Sequence, residues 1–368
     1  MKILLDAREA SSNTGTGSVI RNLYPHIIKQ DSQNIYTIMY CDKDPFPKLN
    51  CKKILSPKKR GARFTYIWQL FGLSMFLNKH KFDVFFSFEN FVYPILFKGA
   101  SIICIQDLIP ITIDNYYDRL YDKIKYRIKI KSLKFIRNNT YISTVSDFSK
   151  EEIHKYLKIE KDKIHVVKHA ISIDKAPLFS QKYLHKINVK KPYILAIGGG
   201  EKRKNNKTLV EVFNDINIEE KLVIVGNINR DNSAAQFDIL DIKNHKKILT
   251  PGMVDDKTLR SLYKNAYAFI FLSYYEGFGL PPLEAMSFSI PTLCSNRSSL
   301  PEVCKNGVLY TDPFDKIEIE KKIKQIVNDD NLRKDLINKA KRVVKDTSWD
   351  KSAHSFIKLL NIIDNARN

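Results

Sequence analysis

The sequence predicts an α/β chain with two parallel-sheet domains, and three observations lead there. Its 368 residues exceed what one compact core serves and suffice for two domains of about 180 residues each. In both halves short apolar runs alternate with longer stretches of helical period, the pattern of strand–helix–strand units with right-handed crossovers. The alternation also starts afresh near Tyr193, after a lysine-bearing connector. The expected arrangement is a first domain over 1–174, a linker over 175–190, a second domain over 191–345 and a closing helical segment over 346–368. Two Rossmann-like domains of this kind face a central cleft.

The composition narrows the class. Hydrophobic residues make up 43% of the chain and aromatics 11%, which suits a packed globular protein and excludes a disordered one. Lysine and arginine number 61 against 40 acids, a formal charge of +21. Two readings fit that surplus: a polyanionic partner, such as a phosphorylated substrate or an anionic membrane face, or lysines spread over solvated surfaces. Five cysteines (41, 51, 104, 294 and 304) form neither a CxxC pair nor a Cys/His cluster of metal-ligand spacing, so free thiols in a reducing cytoplasm are expected. Met1–Asp6 reads as a first strand rather than a secretory leader, and no apolar run reaches a membrane-spanning length.

In chain order, Ile3–Leu5 is a strand, followed by a polar loop holding Gly15-Thr16-Gly17 and a helix from Val19 to Ile28. A Gly-x-Gly between strand and helix suits a phosphate or a plain tight turn, since the full G-x-G-x-x-G is absent. Ile35–Tyr40 reads as the second strand. Lys58-Lys59-Arg60-Gly61-Ala62-Arg63 then precedes an aromatic helix with Phe64, Tyr66, Trp68 and Phe71, and Tyr116–Arg137 reads as a cationic helix. Basic residues beside aromatics suit an anionic membrane surface, and core packing explains the rings equally well. No nucleic-acid-reading motif accompanies the charges, so nucleic acid is not an expected partner. Val84–Phe88 and Ser101–Ile105 are further buried strands, the second ending in Gln106-Asp107, a polar pair at a strand end, where parallel sheets bind ligands. Ser149 and Glu152 read as a capping box, and Ile164–Lys168 as the last strand of this half.

The second half opens with strand Tyr193–Ile197, Gly198-Gly199-Gly200, the basic pair Arg203-Lys204 and a helix over Thr208–Phe213. Glycines there allow close backbone approach, and the pair offers positive charge to a diphosphate. Leu222–Val225 and Ile248–Val254 follow, then a helix from Asp255 to Tyr263 capped by Asp255 or Asp256. A buried run, Ala266–Leu272, breaks at Glu276-Gly277-Phe278-Gly279 and restarts as a helix near Pro281 and Pro282. Proline suits a first helical turn, and the amides of Gly277, Phe278, Gly279 and Leu280 with the helix dipole point at one spot that favours an anion. Glu276 and Glu284 flank that spot, able to accept hydrogen bonds from sugar hydroxyls. Pro291–Cys294 is a further buried strand, and Ile317–Ile363 is helical and charged.

The string Glu276-Gly277-Phe278-Gly279-Leu280-Pro281-Pro282-Leu283-Glu284-Ala285-Met286 resembles the donor-site motif of the retaining GT-B glycosyltransferases, the large E-x7-E family that uses nucleotide sugars. Gly198-x4-Arg203-Lys204-Asn205 is similar to its donor-phosphate motif, of the variant seen in mannose-transferring relatives that build bacterial surface polysaccharides. The likeness covers nearly the whole chain, strongest over 193–303. It implies a GT-B fold, an acceptor-binding first domain and final helices around Trp349 that cross back onto it. It further implies transfer of a hexose, GDP-mannose being the favoured donor, to a glycan or lipid-diphosphate-linked acceptor with retention of configuration, at the inner membrane face and without metal or other cofactor. By the same likeness Glu276 binds the transferred sugar, Glu284 the ribose, Arg203 and Lys204 the diphosphate, the backbone at Val254 lies beside the base, and Gly15 and Gly17 lie near donor phosphate and acceptor. Two departures matter. Relatives often carry His-Asp-Leu where this chain has Gln106-Asp107-Leu108, and glutamine accepts no proton at neutral pH. Gly199 stands where many relatives have a second phosphate-binding arginine. Alternatives are a nucleotide-sugar epimerase of the same fold and a non-catalytic scaffold for membranes or polyanions.

Overall fold

The computed structural model of the chain describes residues 1–12, 14–57, 67–90, 92–113, 116–117, 120–133, 139–171, 182–228, 241–242 and 246–367, with the backbone alone at 125, 129, 132 and 182. The basic run 58–63, Phe64, Tyr66, Lys134, Arg137 and the expected domain boundary at 174 lie outside the described residues. The chain divides into two compact units: Met1–Leu108 with Lys123–Ser172 and Ser348–Asn368, and Ile109–Asp122 with Ile173–Thr347. A short helix, Lys182–Lys186, lies within the expected linker.

The first unit carries strands β1 (Lys2–Asp6), β2 (Ile35–Tyr40), β3 (Lys52–Leu55), β4 (Val84–Ser87), β5 (Ala100–Cys104), β6 (Thr140–Thr144) and β7 (Ile164–Val166). They form one sheet in the order β3-β2-β1-β4-β5-β6-β7, parallel throughout. Strands such as β4 and β5 are buried along their whole length, because helices cover both faces of a parallel sheet. After β3 the chain returns to the middle and adds β4 on the other side of β1. This reversal opens a crevice at the carboxyl ends of β1 and β4.

The second unit repeats the plan with β8 (Tyr193–Ile197), β9 (Lys221–Val225), β10 (Ile248–Gly252), β11 (Ala268–Phe271), β12 (Thr292–Ser295) and β13 (Leu309–Thr311). Their order is β10-β9-β8-β11-β12-β13, again all parallel. Here the reversal falls between β8 and β11, the strands that lead into the glycine-rich turn and the Glu276 loop. Ile194, Leu209, Phe213, Ile270 and Ile323 belong to one buried cluster beneath that junction.

Two local expectations change, and one open choice is settled. The helix after β1 begins at Gly15, not Val19, with Thr14 as cap accepting from the Gly17 N–H at 3.2 Å. Gly17 is needed at that turn because a Cβ there would press on the Ser12 and Glu9 carbonyls. The helix after β6 spans Asp147–Leu157 and is capped by Ser146, not Ser149. Ser149 donates its own N–H to Ser146 Oγ and its hydroxyl to the Gln106 carbonyl, so it ties two strand ends together. Of the two candidate caps at 255–256, Asp255 takes the role, accepting from the Thr258 N–H at 2.7 Å.

The long charged tail is three helices, Lys316–Asn328, Asp330–Asp346 and Trp349–Asn365. The last belongs to the first unit, against the helix Gly15–Gln30. Phe356 packs on Phe86 with ring centroids 4.5 Å apart, and Asp350 accepts from Gln30 and pairs with His26 at 2.8 Å. Phe356 is fully buried, so Phe356→Ala should lower the stability of this unit by about 3–5 kcal/mol in urea unfolding. A loss under 1 kcal/mol would show that the terminal helix is not part of its core.

Candidate functional site

The site of the second unit is assembled from the ends of β8 and β11. Beyond β8 the chain turns at Gly198 and Gly199, with φ of 111° and 53°, conformations that L side chains rarely adopt. Their N–H groups donate to the Val225 carbonyl at 2.9 and 3.1 Å, and Gly200 donates to Asn227 at 2.9 Å. A Cβ on Gly199 would collide with the Asn227 carbonyl. The backbone thus bars an arginine here, and the cations come from the next turn, the short 3-10 helix Lys202–Lys204. Asn206 holds that turn by donating its side-chain N–H groups to Gly199 O and Ile197 O.

Glu276 receives both cations. Arg203 Nη1 donates to Glu276 Oε1 at 2.6 Å and Lys204 Nζ to the same oxygen at 2.7 Å. Arg203 also pairs with Glu201 at 2.6 Å and donates to the Tyr275 carbonyl at 3.1 Å. Lys204 lies 4.6 Å above the Phe271 ring. Both Glu276 and Lys204 are buried, at 8% exposure each. Burial would raise the Glu276 carboxyl, yet the charges of Arg203 and Lys204 outweigh it and hold the group down at about 2. Burial, then the repulsion of Arg203, depresses the Lys204 ammonium, against the pull of Glu276 and Glu201. Glu276 is therefore ionised at neutral pH.

The loop that carries Glu276 is fixed by hydroxyls. Ser298 Oγ accepts the Glu276 N–H at 3.0 Å, and Ser299 Oγ donates toward the Glu276 and Phe278 carbonyls at 2.9 and 2.8 Å. Gly279 follows at φ 111°, where a Cβ would lie 2.7 Å from Leu300 Cδ2. It caps the helix Leu280–Ser287, with proline in the first turn as expected. Among the described residues no carbonyl or side chain accepts the N–H groups of Gly279 and Leu280, leaving two donors at a positive helix end. Glu284, one face over on this helix, accepts from the Tyr263 hydroxyl at 2.9 Å. Burial pushes its carboxyl upward, with Tyr263 and Arg260 pulling against it. Among the described residues no group of three or more His, Cys, Asp or Glu is arranged to hold a metal ion.

Arg203, Lys204 and Glu276 are thus in direct contact, with Gly277–Leu280 and Glu284 continuing from the same loop. Val254 lies just beyond β10, two strands away from β8 in the sheet order, and partly exposed. Gly15, Gly17, Gln106 and Asp107 belong to the first unit. Gln106 donates through Nε2 to Thr16 Oγ1 at 3.2 Å and to the Phe88 carbonyl at 3.0 Å, so the strand end and the Gly-x-Gly turn meet. The Gly17 N–H is already committed to its helix cap. Sequence reading missed as supports Glu201, Tyr263, the two serines and Ser273, whose hydroxyl donates to the Arg203 carbonyl at 3.1 Å. Glu201 is the one that a local signal, an acid two residues before Arg203, could have revealed.

Residues 180–343 match the family described as Glycosyl transferases group 1. The chain is 30% identical over 276 residues to O-antigen chain mannosyltransferase B of Escherichia coli, covering 73% of this chain and 71% of that one. It is 28% identical to O-antigen chain mannosyltransferase RfbU of Salmonella typhimurium over 225 residues, 61% of this chain and 60% of the relative. The crystal structure of WaaG, a glycosyltransferase involved in lipopolysaccharide biosynthesis, superposes with a TM-score of 0.71 at 15% identity over 99% of each chain. The architecture is that of the GT-B glycosyltransferases. This chain belongs to the group 1 glycosyltransferase family.

Removing the charge of Glu276 leaves the buried Lys204 without its counter-charge and Arg203 with Glu201 alone. Glu276→Gln should therefore lose about 3 kcal/mol of stability at neutral pH. Since the folded-state value lies below the ordinary 4.5, the advantage of the wild type should be full above pH 4.5 and vanish as pH falls through about 2. Equal stability of the two proteins at pH 7, by chemical denaturation, would contradict the ion-pair account.

Proposed function

We propose that the protein transfers a hexose from a nucleoside diphosphate sugar, GDP-mannose being the favoured donor, to a hydroxyl of a glycan or lipid-linked acceptor. Configuration is retained, and the product belongs to a bacterial surface polysaccharide such as O-antigen or capsule. The observation that carries this reading is the buried Arg203–Glu276–Lys204 cluster at the β8/β11 reversal, beside two unpaired amides at a helix start. The names of the two mannosyltransferase relatives support the choice of sugar and pathway class.

Transfer must stabilise a departing diphosphate and a sugar that develops positive charge. In this scheme the diphosphate takes Lys204, Arg203 and the N–H groups of Gly279 and Leu280 as its partners. It competes with Glu276 for the two cations, so donor binding turns the carboxylate toward the sugar. Glu276, ionised at neutral pH, accepts hydrogen bonds from sugar hydroxyls and favours the oxocarbenium-like charge. Glu284, oriented by Tyr263, accepts from the ribose hydroxyls, and the backbone at Val254 flanks the base. Gln106, without a proton-accepting nitrogen, holds a hydroxyl, with Asp107 beside it. The acceptor proton passes to the departing phosphate oxygen as the new bond forms, so the scheme calls on no cofactor.

The membrane is the second proposed partner. The helix Leu120–Ser132 exposes Leu120, Ile124 and Ile128 at four-residue spacing, with Tyr121 beside them and Lys123, Arg127 and Lys131 along the adjoining edge. Rings and aliphatic groups at the interface with cations over anionic headgroups suit a peripheral enzyme. No helix among the described residues is long and apolar enough to cross a membrane.

Two measurements test the proposal. In a thermal-shift panel of GDP, UDP, dTDP and their sugars, one nucleotide family should stabilise the protein. Lys204→Ala and Glu284→Ala should each weaken that binding by about tenfold or more. Unchanged affinity in both variants would sink the site assignment, and silence across the panel would favour the polyanion-binding scaffold. For the membrane, sedimentation with phosphatidylglycerol vesicles should exceed that with phosphatidylcholine. Replacing Lys123, Arg127 and Lys131 by alanine should cost at least about tenfold, each cation near the surface being worth roughly 1 kcal/mol. Equal binding to neutral vesicles would refute it.

A further inference from the structure

Glu201 is the one acid of the cation turn to which the transfer scheme gives no task. Its backbone is fixed on both sides: its N–H donates to the Gly198 carbonyl at 3.1 Å, and its carbonyl accepts the Lys204 N–H at 2.9 Å. The side chain, 17% exposed, lies along one edge of Arg203, whose Nε donates to Oε1 at 2.6 Å and Nη2 to Oε2 at 3.4 Å. Among the described residues these are its side-chain hydrogen bonds, so Glu201 serves Arg203 alone.

Arg203 is already held elsewhere. Its carbonyl accepts the Tyr274 N–H at 3.0 Å and the Ser273 hydroxyl at 3.1 Å. Its Nη1 donates to the Tyr275 carbonyl at 3.1 Å and to Glu276 Oε1 at 2.6 Å. A further carboxylate on a guanidinium fixed at these points alters its charge more than its place. The charges also divide by edge. Glu201 covers Nε and Nη2, whereas Nη1 and Lys204 Nζ meet at the same Glu276 oxygen. When a diphosphate takes those two cations from Glu276, Glu201 stays on the opposite edge of Arg203. One negative charge is then retained across the width of a guanidinium from the incoming phosphates.

The two nucleotides of a transfer reaction differ in charge. The diphosphate of a nucleotide sugar, esterified at both ends, carries about two negative charges, while the nucleoside diphosphate left behind carries about three at neutral pH, its terminal phosphate losing a second proton near pH 6. A fixed carboxylate repels the second more than the first, and specificity is such a difference. We propose that Glu201 is a specificity-determining residue of the donor site: its charge on the Nε edge of Arg203 makes the site favour the nucleotide sugar over the more highly charged nucleoside diphosphate, and so speeds release of that product. It acts through Arg203 without touching the ligand. The inference rests on the glycosyl-transfer reading, in which Arg203 and Lys204 hold the diphosphate.

The probes are GDP and GDP-mannose, titrated calorimetrically into the full-length protein without acceptor; UDP or dTDP and the matching sugar replace them if the wild type takes that pair instead. The quantity read is the ratio of the two affinities. Glu201→Gln, which keeps an oxygen for Nε and loses the charge, should move that ratio toward the nucleoside diphosphate by about fivefold or more, the order expected of one charge facing another across a guanidinium. Glu201→Asp, which keeps the charge on a shorter arm, should retain the wild-type ratio whatever happens to the separate affinities. Glu201→Ala carries the test if Glu201→Gln does not fold, because a loss common to both ligands cancels in the ratio. A purely structural Glu201 gives such a common loss. An unmoved ratio in Glu201→Gln therefore overturns the proposal and leaves the donor reading standing, as does a shift toward the nucleotide sugar. A wild type that binds no nucleotide of any pair removes the donor reading, and the role of Glu201 with it.

Discussion

One carboxylate oxygen shared by a guanidinium and an ammonium is the constraint around which the second unit is arranged. Charges at 8% exposure are tolerated only when each has its counter-charge within hydrogen-bond distance. Arg203 and Lys204 come from the turn after β8 and Glu276 from the loop after β11, so the ion pairs hold together two loops more than seventy residues apart. The surrounding details serve that contact. Gly198 and Gly199 permit the turn that aims the cations, while Ser298 and Ser299 hold the backbone that aims the carboxylate. With Glu201 paired to Arg203, the cluster has a counter-charge for every charge.

The first unit uses the same device with a different balance. Both units put an arginine–carboxylate pair, fully buried in the first and partly so in the second, at the point where the strand order reverses, between β1 and β4 in one and between β8 and β11 in the other. In the second unit two cations converge on Glu276 beside free amides. In the first, two carboxylates, Asp6 and Glu89, share Arg8 and the amide of Gly17 is spent on a helix cap. One fold thus carries a cation-rich cluster at one reversal and a carboxylate-rich one at the other, and the difference lies in a handful of side chains at strand ends.

Strand positions were legible because a strand buried on both faces is an almost unbroken apolar run; Ile35–Tyr40 and Tyr193–Ile197 were read to the residue. Helix starts were less so. Ser146 and Ser149 both precede suitable helical residues, and the choice fell to Ser146 because Ser149 is drawn to the Gln106 carbonyl across the sheet. Likewise Gly15 and Gly17 read as a loop when they form the first turn, since Thr14 supplies a cap that outweighs their weak helical preference. Of the donor motif, Glu276, Glu284, Arg203 and Lys204 stood out by local pattern. Tyr263, which orients Glu284, did not, because its partner lies 21 residues on.

By itself the sequence determined the two-domain α/β class, the strands along the chain other than β3 and β13, and the motif residues of the second half, all of which are local or periodic properties. Only the tertiary structure decided the order of strands across each sheet, and with it which loops become neighbours. That order brings Glu276 to Arg203 and Lys204, sets Glu89 beside Arg8, and forbids an arginine at position 199 by placing the Asn227 carbonyl where its Cβ would be. The physical reason is that buried charges and tight backbone approaches are satisfied by partners distant in sequence, and no local pattern records them.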